Sequence, residues 1–207
     1  MASDIQMGAG DASTKRNRDF GSWTVRIQHF TAQQWVPYPI EAVFAFFANP
    51  VNLPALMPPG QKTRIENARL VPPAMPAATK QLRSGSAAVA GIGSEIVISF
   101  LPLPLLPLRL HWVARISEFE WNHYFRDEQI EGPFECFRHR HGMVQEVRNG
   151  IEGTRVTDSI EFALPLGWLG SSGAPLVRML LARAFHQRQR RLPGLLCAAL
   201  NQFDGLR

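Results

Sequence analysis

Apolar residues recur along this chain in two rhythms, and the changes between them divide it into elements. Trp23, Val25, Ile27 and Phe30 begin a stretch predicted to be a strand running to Val36, closed by Pro37 and Pro39. Pro39 also suits the start of a helix, where its missing N–H is harmless, and Ile40, Val43, Phe44 and Phe47 share one helical face. A second short helix is expected over 52–57, ended by Pro58-Pro59-Gly60, and then a strand over 62–70. In the middle of the chain the period is two. Ile96, Ile98 and Phe100 alternate, then Leu110, Trp112, Ala114 and Ile116, then Phe125, Asp127 and Gln129. Phe137, His139, His141 and Met143 follow, and Val156, Asp158, Ile160 and Phe162 complete the series. Turns at Gly132-Pro133, Asn149-Gly150 and Gly153 separate these runs, which predicts an antiparallel meander.

From Pro175 onward the spacing becomes helical. Leu176, Val177, Leu180, Leu181, Ala184, Phe185 and Leu192 form the expected apolar stripe. Arg178, Arg183, Arg188, Arg190 and Arg191 are assigned to its wet side. Pro193-Gly194 predicts a break or kink, with a further short helix over 195–203. No alternating βαβ units occur, so the fold class is α+β: a curved antiparallel sheet packed against a long C-terminal helix. Residues 1–22 are polar and aperiodic and read as a disordered tail, leaving 23–207 as one domain. Within it, the Pro-, Ala-, Ser- and Gly-rich residues 72–91 read as a flexible insertion or a lid. From Leu101 through Leu108 the sequence is LPLPLLPL, whose prolines exclude a central strand. This bent apolar loop either packs on the last helix or forms a cavity lip that touches a membrane peripherally or covers the entrance.

Composition narrows the classes. A chain of 207 residues with 45% hydrophobic and 19% charged positions reads as globular and can bury a substantial core. The net charge of +5 comes mainly from Arg and permits contact with anionic surfaces. No zinc-finger spacing or interleaved surface aromatics point to nucleic acid, so no nucleic-acid partner is expected. Cys136 and Cys197 sit on different elements without metal-ligand spacing, which argues against a disulfide framework and for a cytoplasmic location. The N-terminal segment lacks the apolar core of a secretory signal, and no run is long enough to span a membrane. The GIGS sequence ending at Ser94 lacks the spacing of a phosphate loop.

The segments WVPYPIEAVFAFFANPVNLPALMPP, LRLHWVARI, FRDEQIEGPFECFRHRH and GTRVTDSIEFALPLGWLG, followed by the Arg-rich helix, resemble bacterial ligand-binding or cyclase/dehydrase-like members of the SRPBCC (START-like, birch-pollen-allergen-like) superfamily. The resemblance runs from about Trp23 to Leu192 and implies a helix-grip fold with a cavity between sheet and C-terminal helix. It does not imply one chemistry, since relatives bind lipids, sterols, quinones or polyketides and some are enzymes.

Strand parity supplies candidate residues. If the apolar residues of each strand face inward, Asp127, Gln129, His139, His141 and Asp158 face inward with Trp112, Phe125, Phe137 and Met143. Leu180 completes the expected ligand wall from the helix. A turn at Glu131-Gly132-Pro133 sets Asp127 opposite Phe137 or His139. Asp127 is therefore expected to orient His139, with His141 and Asp158 as a second polar pair. The function expected is binding or transport of a small hydrophobic molecule of lipid, quinone or polyketide type. The alternatives are a cofactor-independent cyclase or dehydratase using His139 and Asp127 as acid and base, and a membrane-associated lipid chaperone. No cofactor and no metal are expected, because His139 and His141 at i and i+2 match no tight metal motif.

Overall fold

A computed structural model describes residues 26–74, 89–102, 108–166 and 172–204, with side chains through 201. The expectations for the 1–22 tail, for Trp23 and Val25, for 75–88 of the insertion and for Leu103 through Pro107 lie outside the described residues.

Strand β1 (Gln28–Val36) leads through Pro37 into helix α1 (Ile40–Ala48), with Pro39 at the N-cap. The helix buries Val43, Phe44, Phe46 and Phe47. After a short turn of 3-10 helix comes α2 (Leu53–Leu56), where Pro54 sits in the first turn and removes no helical hydrogen bond. Six further strands follow: β2 (Arg64–Arg69), β3 (Glu95–Phe100), β4 (Leu110–Glu120), β5 (Tyr124–Glu131), β6 (Cys136–Arg148) and β7 (Ile151–Ala163). They form one antiparallel sheet in the order β1-β7-β6-β5-β4-β3-β2. Helix α3 (Ala174–Asp204) packs against it. Among the described residues no helix is long and apolar enough to cross a membrane.

The alternation in sequence sorts side chains as expected, with a change of phase within β4. Trp112 and Ile116 are buried from even positions of β4, whereas Phe119 packs inward from an odd one. The register shift between Ile116 and Glu118 is the cause: one extra residue in β4 turns the next side chain to the other face. At the β6–β7 hairpin, Asn149 (φ 51°) and Gly150 (φ 77°) take the left-handed backbone that a two-residue turn requires. Gly153 has a different reason. A Cβ there would come within 2.5 Å of both the Trp35 ring and the Val36 carbonyl oxygen, so only glycine lets β1 lie this close to β7.

Helix α3 corrects two sequence expectations. Pro193 neither ends nor splits it; the helix continues to Asp204. Proline offers no N–H to the Gln189 carbonyl, and Gln34 Nε2 on β1 donates to that oxygen instead, at 2.7 Å. Gln189 Nε2 donates in turn to the Gln33 carbonyl at 2.9 Å, and the Tyr38 hydroxyl to the Pro193 carbonyl at 3.2 Å. Gln34→Ala is expected to strand the Gln189 carbonyl at a loss of about 1–3 kcal/mol in urea unfolding. In a Pro193→Ala background, where the helix regains its own N–H, the same substitution should be nearly silent. An equal loss in both backgrounds contradicts this account.

The second correction concerns the buried face. Phe185, Leu192 and Leu196 are sealed, and Arg188, expected on the wet side, is buried with them. At about 100° per residue Leu176 lies about 180° around the helix from Phe185, and it is exposed accordingly, whereas Arg188 lies only about 60° away. The predicted stripe is too wide at its start and leaves out an arginine on its inner side.

Candidate functional site

The register of three neighbouring strands builds one polar cluster on the inner face. Asp127 of β5 pairs with His139 of β6, Phe125 with His141, and His141 with Asp158 of β7. Residues sharing parity on adjacent strands project side by side, so these four titratable groups meet. Helix α3 adds Arg188, whose two terminal nitrogens both bond the Asp158 carboxylate, Nη1 to Oδ1 at 3.1 Å and Nη2 to Oδ2. A forked guanidinium on a carboxylate is the strongest ion-pair geometry available to side chains.

His139 Nε2 hydrogen-bonds Asp158 Oδ1 at 2.9 Å, while its Nδ1 stands 3.9 Å from Asp127 Oδ2, beyond hydrogen-bond reach. His141 Nδ1 lies 2.9 Å from Asp158 Oδ1 but off the line of a directional bond, and its Nε2 lies 3.4 Å from Asp127 Oδ2. Asp127 therefore faces both imidazoles, and Asp158, not Asp127, orients His139. The two rings are 3.8 Å apart between centroids. Aromatic rings enclose them: His141 stacks on Phe125 at 4.4 Å, Phe185 meets the edge of His139 at 5.8 Å, and Arg188 lies 4.3 Å over Phe185 and 5.4 Å from the Phe47 ring.

Electrostatics follow from that enclosure. Burial by itself would raise the Asp158 acid, but the Arg188 guanidinium and the two imidazoles outweigh it and hold the carboxyl well below the usual carboxylate range. Burial depresses His139, and the neighbouring His141 adds to the effect against the pull of the aspartates. Burial also opposes charge on His141, yet its contacts with Asp127 and Asp158 prevail and raise it. The two shifts run in opposite directions, so of the two imidazoles His141 is the one that holds a proton more readily.

Access differs sharply across the cluster. The side chains of Asp127, His139 and His141 retain 19%, 13% and 11% exposure, whereas Asp158 retains 1%. Phe125, Phe137, Met143 and Trp112 are all buried; Phe125 stacks on His141, and Trp112 packs edge-on to Phe137 at 4.7 Å. Gln129 is engaged elsewhere: Nε2 donates to the Phe134 carbonyl at 2.7 Å and Oε1 accepts its N–H, which fastens the β5–β6 turn. Leu180 is half-buried on α3, about 140° around the helix from Phe185. Two clefts lined by described residues lie apart from the cluster. One, about 520 Å³, sits beside Pro72, Pro73, Phe119 and Trp121; the other, about 660 Å³, lies on the outer face near Tyr124, Arg140 and Thr157.

No protein-family model and no curated protein sequence matches the chain. Solved structures match its shape. TTHA0849 from Thermus thermophilus superposes with a TM-score of 0.55 at 17% identity, covering 83% of this chain and 99% of that one. Truncated norcoclaurine synthase from Thalictrum flavum gives 0.55 at 13% identity over 84% and 97%. Protein Ms6760 from Mycobacterium smegmatis gives 0.52 at 14% over 83% and 92%. At such identities the likeness speaks for architecture alone: the chain has a helix-grip fold, the fold that its segments implied.

Proposed function

Starting from a helix-grip domain with an ionic cluster on its inner face, we propose that the protein binds or carries a small, predominantly apolar molecule between sheet and α3. The class is lipid-, quinone- or polyketide-like, with a polar head placed at Asp127, His139 and His141. One observation carries this reading: Asp127 and His139 on the inner face keep partial exposure beside His141, while Phe125 next to them and Asp158 behind them are sealed. Apolar wall supplies affinity at about 25 cal/mol per Å² removed from water, and the few polar groups select orientation. Native mass spectrometry of freshly purified protein tests it. The expected result is a retained or readily acquired small molecule that organic extraction removes. Protein at its bare mass that also takes up no added fatty acid or quinone defeats the reading.

A cyclase- or dehydratase-type enzyme is the second reading, favoured by the Asp158–His139 hydrogen bond of 2.9 Å, which holds an imidazole with its other nitrogen facing Asp127. Turnover abolished by His139→Ala with ligand retention intact would select it; no change in products would remove it.

A further inference from the structure

His139, His141 and Asp127 each offer a ligand atom, and these atoms lie within 4.8 Å of one another. Two separations involving Asp127 Oδ2 are 3.4 Å to His141 Nε2 and 3.9 Å to His139 Nδ1. A tetrahedral ion held at about 2.0–2.2 Å by nitrogen and oxygen places its donors roughly 3.4 Å apart. The Asp127–His141 separation thus matches the spacing an ion imposes, the Asp127–His139 one is wider, and the pair of imidazole atoms lies within 4.8 Å.

The groups behind the triad point the same way. Each imidazole that turns one nitrogen towards Asp127 turns the other towards the single oxygen Asp158 Oδ1, at 2.9 Å in both cases. For His139, hydrogen-bonded to that oxygen, a carboxylate behind a ligating histidine fixes ring orientation and tautomer and makes the free nitrogen a better donor. Asp158 is itself pinned by Arg188, so its charge is spent before it reaches the ion. Asp127 differs: among the described residues no Arg, Lys or backbone N–H bonds its carboxylate, and only the two imidazoles face it.

The geometry points to a mononuclear site for a divalent transition-metal ion, with His139 Nδ1, His141 Nε2 and Asp127 Oδ2 as ligands and Asp158 as their shared support. Two imidazoles and one carboxylate without thiolate suit zinc or iron(II) rather than calcium or magnesium. Three protein ligands leave at least one position open. The site does not depend on an apolar molecule being bound, so its failure and that of the binding reading are separate results.

Titration of the chelator-treated full chain with Zn²⁺ by calorimetry, and with Co²⁺ by visible absorption, tests the site. The parent is expected to bind one ion per chain, and Co²⁺ to show no thiolate charge-transfer band. Asp127→Asn and His139→Gln, conservative in shape and checked for folding by circular dichroism, are expected to lose that ion. Asp158→Asn, where it folds, should weaken binding about 10–100-fold. A parent that binds no ion, or folded Asp127→Asn and His139→Gln variants that bind as the parent does, overturns the site.

Discussion

Asp158→Ala is expected to lower the unfolding free energy by about 3–5 kcal/mol, because it leaves a buried guanidinium without its counter-charge. The magnitude follows from place as much as from charge. Asp158 accepts from both terminal nitrogens of Arg188 and from His139, and both ionic partners are sealed from water. Arg188 Nε already lacks a partner, so the carboxylate is what holds that group in the core. Truncating Asp158 also removes the fixed end of the hydrogen bond to His139. Replacing both members with apolar residues, Asp158→Leu with Arg188→Met, removes the stranded charge and should recover most of the loss. Urea unfolding measures all three chains. A single substitution that shifts stability by less than about 1 kcal/mol would mean that water reaches Arg188, and that the pair is not a core element.

Phe44→Ala should have an effect of similar size, about 3–5 kcal/mol, by a different route. Phe44 is fully buried on α1 and meets Phe119 at 5.3 Å, Trp121 at 5.7 Å and Phe125 at 6.0 Å. These rings belong to the β4–β5 hairpin just beyond the register shift that turns Phe119 inward. Removing the central ring opens a cavity that surrounding strands cannot collapse into without breaking ladder bonds. Phe44→Leu, which keeps much of the volume, should be distinctly milder. Equal losses for Ala and Leu in chemical unfolding would show that edge-to-face ring contact, rather than filled volume, sets the stability there.

Much of this architecture is legible in the chain itself, because the strands of a half-buried sheet repeat every two residues and their turns carry diagnostic residues. Asn149-Gly150 marks the β6–β7 register, and parity then places His139, His141 and Asp158 on one face. Parity does not resolve diagonal neighbours. His139 bonds Asp158 although its direct partner across the ladder is Ile160, so the expected Asp127–His139 couple gives way to a crossed arrangement. Arg188 escapes a reading that sends arginine to solvent by residue type, although its angle from Phe185 already puts it inside. Pro193 misleads for a related reason: a helix-breaking residue is tolerated when a distant side chain takes over the freed carbonyl, and nothing near Pro193 announces Gln34. The three candidate metal ligands come from two strands, so no contiguous motif could reveal them.

Photo-crosslinking with a diazirine-bearing fatty acid, read residue by residue by peptide mass spectrometry, addresses the inner-face site most directly. Saturable adducts are expected on Trp112, Phe125, Phe137 or His139, competed away by unlabelled fatty acid and diminished by Asp127→Asn. Adducts confined to the outer cleft around Tyr124 and Arg140, or to exposed Leu176 and Met179, would contradict a binding site between sheet and helix.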